Sequence, residues 1–307
     1  MKKILVATEK PFSKETTNYM LETAKSLNVE VVLLEKYSSK EELYDALKDV
    51  EGLIVRSDKI GAQEMDKAPK LEVIVRGGAG YDNIDCEYAK QKGIVVMNTP
   101  GQNANAVAEL TFGLLLMMTR KKYSGNQGFE ISGKSLGILG FGNIGRRIAN
   151  YALGFNMEVA ACDIFLKPGE TGNDKVAYCA TVKELFANNQ VISLNIPATK
   201  DTINSIGYDL LMSMPKNAVV INTARKEVIH EEELAKALSE RTDLHYVADI
   251  APSNAQELLE EYGKQVFFTA KKLGAQTEEA NFNAGKAALN QSAKYLNEKV
   301  ADFQVNK

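Results

Sequence analysis

The sequence predicts an α/β protein made of two doubly wound parallel-sheet domains, a Rossmann-type nucleotide domain and a flavodoxin-like substrate domain. Three observations carry this. Short apolar runs alternate with helical stretches along the whole chain, the pattern of βαβ units that feed parallel sheets. A G-x-G-x-x-G spacing at Gly140, Gly142 and Gly145 lies between an apolar strand and a helix. A complete run of alternating elements already precedes that motif, so the 307 residues hold two such units. The predicted division gives residues 1–99 and 281–307 to the substrate domain and 100–280 to the nucleotide domain.

Taken in order, the first unit reads as strands over 4–7, 29–34, 52–56, 71–76 and 95–97, with helices over 16–26, 40–48 and 85–91. A long helix over 104–120 follows. Its middle, LTFGLLLMM, is apolar nearly all round and so predicts burial, in an interdomain crossover or a dimer interface. The stretch 121–133 reads as a loop. The second unit has strands over 136–139, 157–162, near Val176, and over 191–194, 219–222, 244–250 and 266–269. Its helices are expected over 143–153, 203–213, 231–240 and 256–262, and a short one opens at Thr181 with Glu184 completing a capping box. A last amphipathic helix over 277–300 returns to the first domain, which makes that domain discontinuous.

The stretch KSLGILGFGNIGRRIANYALGFNMEVAACD, Lys134 to Asp163, organises the chain. Gly140 permits a tight strand-to-helix turn. Gly142 leaves the backbone open to a pyrophosphate, and Gly145 lets the helix pack closely on the strand. The helix start offers N–H groups to phosphate. Asp163 closes the second strand, where a carboxylate binds the adenosine ribose and repels a 2′-phosphate, favouring NAD over NADP. A glycine-rich turn of no special function is the bland alternative; the strand, helix and acidic residue in their expected places argue against it.

Composition narrows the class. Apolar residues make up 45% and charged residues 25%, as in an ordinary globular protein, and the net charge of −3 argues against a general nucleic-acid surface. No apolar run reaches membrane-spanning length, and MKKILVATEK reads as a first strand, not a signal peptide. Cys86, Cys162 and Cys179 follow no metal-ligand spacing, so no metal site is expected; they read as reduced thiols of a cytoplasmic protein.

Ligands of doubly wound sheets sit at the carboxyl ends of the strands. The residues there include Arg56-Ser57, Arg76 to Gly80, Asn195 to Pro197, Asn222 to Arg225, Asp249 and Lys271 to Gly274. Any one arginine reads equally as a solvated surface charge. Three at strand ends, Arg56, Arg76 and Arg225, favour an anionic substrate gripped in the bidentate manner of guanidinium.

The motifs LIVRSDK (Leu53 to Lys59), RGGAGYDNID (Arg76 to Asp85), NTPGQN (Asn98 to Asn103), GILGFGNIG (Gly137 to Gly145), INTARKEVIHEEEL (Ile221 to Leu234) and KLGAQTEEA (Lys272 to Ala280) together resemble the D-2-hydroxyacid dehydrogenase family over essentially the whole chain. Arg56-Ser57 resembles its phosphoglycerate branch in particular. The resemblance implies a split catalytic domain with the nucleotide domain inserted, a homodimer, and hydride transfer between C2 of a D-2-hydroxy acid and NAD. For this branch it implies oxidation of 3-phospho-D-glycerate to 3-phosphohydroxypyruvate. It also implies that Arg225 binds the substrate carboxylate and polarises the reacting oxygen. Ala79, Gly140, Gly142, Asn143, Ile144, Gly145, Asp163, Ile196, Thr223, Ala224, Asp249 and Gly274 would then meet NAD, and Arg56, Ser57, Arg76, Gly78 and Ala79 would face the substrate.

The chain departs from the family at its general base, a Glu–His pair. Asn254 stands where the glutamate is expected and Lys272 where the histidine is. The two histidines present, His230 before a helix and His245 at a strand start, read as structural. One reading makes Lys272 the base, with Lys271 next in line. A glutamate beside lysine would hold the ammonium charged, the wrong state for taking a proton, so neutral Asn254 suits a lysine base. Burial, Arg225 and the positive nicotinamide ring would further favour the neutral amine. The other readings are a glyoxylate or hydroxypyruvate reductase, and a non-enzymatic, corepressor-like protein that senses NAD.

Overall fold

The structure, a computed structural model, describes all 307 residues. The chain divides into two compact units, Met1–Asn103 with Gln276–Lys307, and Ala104–Ala275. Each is built on a wholly parallel sheet. This follows from the alternating pattern, since parallel neighbours need a crossover and the crossovers cover both sheet faces.

In the first unit, β1 (Lys2–Thr8), β2 (Val29–Glu35), β3 (Gly52–Val55), β4 (Val73–Arg76) and β5 (Val95–Asn98) take the order β2-β1-β3-β4-β5. That is the flavodoxin-like order, whose switch point lies between β1 and β3. Helices α1 (Lys14–Ala24), α2 (Lys40–Leu47), α3 (Ala62–Asp66) and α4 (Cys86–Gln91) join the strands. Five-residue α3 went unread because one turn and a half shows no periodicity; the Gly61 N–H donates to Glu64 Oε2 at its start. The final helix, Glu278–Glu298, belongs to this unit. It packs its Ala288, Leu289 and Leu296 with Ile4, Val6 and Met20 in one core. The contact with α1 is close enough that a Cβ on Gly285 would stand 2.3 Å from Thr16 Cγ2.

In the second unit, β6 (Ser135–Leu139), β7 (Glu158–Cys162), β8 (Val176–Tyr178), β9 (Val191–Leu194), β10 (Val219–Asn222), β11 (His245–Ala248) and β12 (Val266–Phe268) take the order β12-β11-β10-β9-β6-β7-β8. This is the doubly wound nucleotide-binding order with one strand added, and its switch point lies between β6 and β9. Helices α5 (Ala104–Thr119), α6 (Asn143–Gly154), α7 (Val182–Asn188), α8 (Tyr208–Ser213), α9 (Glu231–Glu240) and α10 (Ala255–Tyr262) complete it. Alternate residues feed two cores. Ile192, Leu194 and Val220 enter one, and Val191, Val219 and Ile221 the other.

Three local expectations change. The helix expected over 203–213 is only α8, because the Asn204 and Ile206 N–H groups donate to the Glu227 and Val228 carbonyls, a pairing that displaces helix. The capping box at Thr181 is half formed: Thr181 Oγ1 accepts from the Glu184 N–H, but Glu184 Oε2 accepts from Ala180. The stretch 121–133 begins with a 3₁₀ turn, Lys121–Tyr123, whose residues all have positive φ (52°, 54° and 57°). Such backbone is costly for residues with a Cβ. Here Lys122 Nζ donates to the Gly263 and Val266 carbonyls, and Lys121 Nζ lies 3.3 Å from His245 Nε2.

His245 is 4% exposed, and its Nδ1 lies 3.1 Å from the Asp243 carbonyl. Burial first, and then the Lys121 charge, push its pKa below the ordinary histidine value. The unfolded chain therefore binds a proton in mildly acidic solution that the folded chain refuses. The stability concerned is present above about pH 6.5 and is lost as pH falls below it. In urea unfolding at pH 7 and pH 5, His245→Gln is expected to lose less stability on acidification than the wild type. An equal or greater loss in the variant would contradict this role for His245.

Candidate active site

The nucleotide side of the second unit is built around the turn from β6 into α6. Gly140 has φ +89°, and a Cβ there would meet the Asn195 carbonyl at 2.8 Å, so only glycine fits. Gly145 faces back onto that turn, where a Cβ would lie 2.3 Å from the Gly140 oxygen. Gly142 is the N-cap of α6 without a side-chain cap, and a Cβ on it would meet nothing within 4 Å. The first N–H groups of the helix, at Asn143, Ile144 and Gly145, have no partner within the helix by geometry, which suits an anion.

Asp163 follows β7. Its Oδ2 accepts from the Phe141 N–H at 2.7 Å and its Oδ1 from the Phe165 N–H at 2.8 Å. One carboxylate thus braces the glycine turn and the start of its own loop, and each oxygen keeps a second lone pair for a hydroxyl donor. A cleft of about 580 Å³ opens here, lined by Gly140, Gly142, Cys162, Asp163, Ile164, Phe165, Asn195, Ile196 and Pro197 among others. Its lining is largely apolar, as small-molecule sites are. One feature is not apparent in the sequence. Ile164 and Phe165 stand 91% and 85% exposed at the lip, placed for the flat face of a base. Asn195 Oδ1 is buried without a partner while its Nδ2 donates to Ser193, leaving an acceptor for an incoming hydroxyl or amide.

At the other end of the same sheet edge, β10, β11 and β12 are neighbours, and their ends carry Arg225, Asp249, Asn254 and Lys272. At about 4.8 Å per strand, β11 lies roughly 19 Å from β7, a span suited to a ligand stretched across the β6 turn. Buried Asn222 shapes the Arg225 turn: its Oδ1 accepts from the Ala224 N–H and its Nδ2 donates to the Arg225 carbonyl. The Thr223 hydroxyl lies 3.4 Å from that of Thr111 on α5. Asp249 is fully buried, and its oxygens accept from the Leu273 and Gly274 N–H groups. Asn254 caps α10 without a side-chain bond, and its Oδ1 is buried with no hydrogen-bond partner, so it makes no bond to Lys272. Lys271 and Lys272 are exposed. Burial was expected to favour a neutral amine at Lys272, and it does not apply.

In the first unit, the strand ends expected to meet an anion hold one another. Arg56 stacks on Phe12 and donates to the Lys10 and Pro11 carbonyls and to Asn281 Oδ1 of the final helix. Three of its five N–H donors are therefore engaged. Ser57 is exposed. Asp58, unnoticed in the sequence, is 3% exposed and accepts from the Glu9 and Arg56 N–H groups and the Tyr37 hydroxyl. Arg76 donates to the Arg56 carbonyl and lies across Gly78, where a Cβ would fall 1.7 Å from its Nη1. The Ala79 carbonyl accepts from Asn98 Nδ2.

The strand order, the glycine turn and the placement of Asp163 define the second unit as a dinucleotide-binding α/β domain. Residues 106–270 match the family model of the D-isomer specific 2-hydroxyacid dehydrogenase NAD-binding domain. The D-3-phosphoglycerate dehydrogenase of Methanocaldococcus jannaschii is 35% identical over 87% of this chain, and this chain spans only 54% of that protein's length. The hydroxypyruvate reductase of Thermotoga maritima is 34% identical over 73% of this chain and 75% of its own. Among solved structures, the NAD+-bound 3-phosphoglycerate dehydrogenase of Entamoeba histolytica superposes with a TM-score of 0.88, at 42% identity over 100% of this chain and 99% of that one. The chain belongs to the D-2-hydroxyacid dehydrogenase family, and its second unit is the family's NAD-binding domain. No helix is long and apolar enough to cross a membrane.

The open N–H groups of α6, the Gly142 gap and the unpaired Asn195 Oδ1 all fit NAD. Gly145→Ala forces a methyl against the Gly140 carbonyl and should weaken NADH binding at least tenfold, read by fluorescence titration. An unchanged NADH affinity would refute this account of the turn.

Proposed function

We propose that the chain is an NAD-dependent dehydrogenase that oxidises 3-phospho-D-glycerate to 3-phosphohydroxypyruvate, the opening step of serine synthesis. The observation that carries the reading is one sheet edge with a nucleotide cleft at one end and, at the other, Arg225 and Lys272 on the ends of the two strands that flank β11. The phosphorylated substrate rests on the resemblance to phosphoglycerate dehydrogenases, two of which match at 35% and 42% identity.

In this reading, Gly140, Gly142, Asn143, Ile144 and Gly145 hold the pyrophosphate, and Asp163 the adenosine ribose. Ile196, Thr223, Ala224, Asp249 and Gly274 border the rest of the cofactor path. When bound, NAD supplies the hydride acceptor. Arg225 fixes the substrate carboxylate through two parallel N–H donors and draws electron density from the reacting oxygen. Lys272 takes the hydroxyl proton as hydride leaves C2, and Asn254 places no charge that would hold the ammonium form. Within the first unit, the strand ends with Ser57, Arg76, Gly78 and Ala79, and the two N–H groups that Arg56 keeps, suit an anionic ligand. The chain works as a homodimer, with the exposed Phe155, backed by the buried Phe112 ring, as apolar surface for a second copy.

A hydroxypyruvate or glyoxylate reductase is the second reading. It is favoured by the Thermotoga relative and by the engagement of Arg56, which leaves that guanidinium less free for a phosphate. Purified protein with NADH should turn over 3-phosphohydroxypyruvate far faster than hydroxypyruvate or glyoxylate, followed by NADH absorbance. Preference for an unphosphorylated acid would establish the second reading instead. NADH binding without turnover of any of the three would mean a sensor without catalysis.

Lys272→Met should lower kcat by about 10²–10⁴-fold, the usual worth of a general base, and leave NADH binding intact. Near-normal turnover would reject a lysine base. Lys272→His alone should recover little, since no carboxylate at position 254 supports the imidazole. Full activity in that variant would count against the paired replacement.

A further inference from the structure

The sheet of the first unit ends at β5, and an edge strand presents backbone groups that its own sheet does not bond. Here those groups are taken by residues 304–306, which follow the final helix. Gln304 stands opposite Met97 in an antiparallel bridge, and the Val305 N–H donates to the Val96 carbonyl at 2.9 Å. The Asn306 side chain then stands in for a peptide group. Its Oδ1 accepts from the Val96 N–H at 2.9 Å, and its Nδ2 donates to the Ile94 carbonyl at 2.8 Å. Asn306 is buried, and Val305 packs on the core that holds Ile94 and Val96. The turn that leads to this contact starts at Lys299, which closes the final helix with φ +59°.

We propose that residues 304–306 are a strap over a self-association surface: with the strap released, β5 pairs antiparallel with β5 of a second copy of this chain. The occupant follows from the register. Val96 turns both its N–H and its C=O outward, where the strap bonds them. In an antiparallel pair, a residue of that kind exchanges both bonds with the residue opposite. Val96 of one copy therefore meets Val96 of the other on a two-fold axis, the self-complementary arrangement of a closed pair. β5 reads VVMN and carries no charge that would repel its own image. The bound strap prevents this pairing because it uses the same two Val96 groups. Asparagine suits position 306 because it offers an acceptor and a donor on one planar group, as a peptide does. An aspartate there would set an oxygen against the Ile94 carbonyl and leave that bond unmade. This surface belongs to the first unit and is independent of the apolar face at Phe155.

The test compares the full chain, its Asn306→Asp variant and a chain cut after Asp302, each by light scattering over a wide range of protein concentration and by amide hydrogen exchange. The full chain should keep one mass throughout. Both altered proteins should double that mass as concentration rises, while NADH affinity stays at the wild-type value and reports that they are folded. At low concentration the Val96 amide should exchange about tenfold faster in Asn306→Asp than in the wild type, and the difference should vanish as the pairs form. A synthetic peptide of residues 301–307 should bind the cut chain and return it to the wild-type mass. A cut chain that keeps the wild-type mass at every concentration would overturn the proposal. So would association that leaves the Val96 amide unprotected, or that the peptide does not reverse.

Discussion

The nucleotide half of the site depends on one close approach, that of Gly145 to the Gly140 carbonyl. No side chain fits between them, so α6 starts directly at the end of β6. Its unbonded N–H groups then point across the sheet edge. Asp163 holds the same turn from the neighbouring strand through the Phe141 N–H, and so one carboxylate ties the glycine turn to the end of β7. The switch point of the sheet falls beside this turn, where the crossovers diverge and leave a crevice.

The chemical groups stand on loops, and each such loop is fixed by a buried polar side chain. Asp58 holds the turn that carries Arg56 and Ser57, Asn222 the turn that carries Arg225, and Asp249 the turn that carries Lys272. In each case the buried group binds backbone N–H or C=O groups that no strand or helix would satisfy. Such groups are costly to leave unpaired, so the arrangement fixes loop geometry as it satisfies the buried atoms. A rigid edge is what a reaction requires whose rate depends on distances of an ångström or less.

The two doubly wound sheets and the glycine turn were legible because each follows from a strong local signal, either an apolar run of strand length or glycine where no Cβ fits. The short helix α3 was not, since one turn and a half shows no periodicity, nor was the pairing of Asn204 and Ile206, which depends on contacts distant in sequence. At the site, the sequence singled out Arg225, Asp163 and Lys272, and the fold sets all three after strands of one sheet. The bracing roles of Asp58 and Asp249 were not legible, because a polar residue at a strand end looks the same whether it meets ligand or braces backbone. Ile164 and Phe165 carry no signal in the sequence, because two apolar residues in a loop look the same whether they pack inward or stand exposed. The expected burial of Lys272 failed because side-chain exposure at the tip of a loop is set by packing that no local pattern encodes.

The claim on which the account turns is that an amine at position 272 takes the proton. Chemical rescue tests it most directly. Lys272→Ala, inactive alone, should regain 3-phosphoglycerate oxidation when small primary amines are added. Corrected for the fraction unprotonated, the rescued rate should rise with amine basicity, as Brønsted behaviour of a general base requires. A variant that stays active without amine, or that no amine of any size restores although it binds NADH normally, would contradict the account.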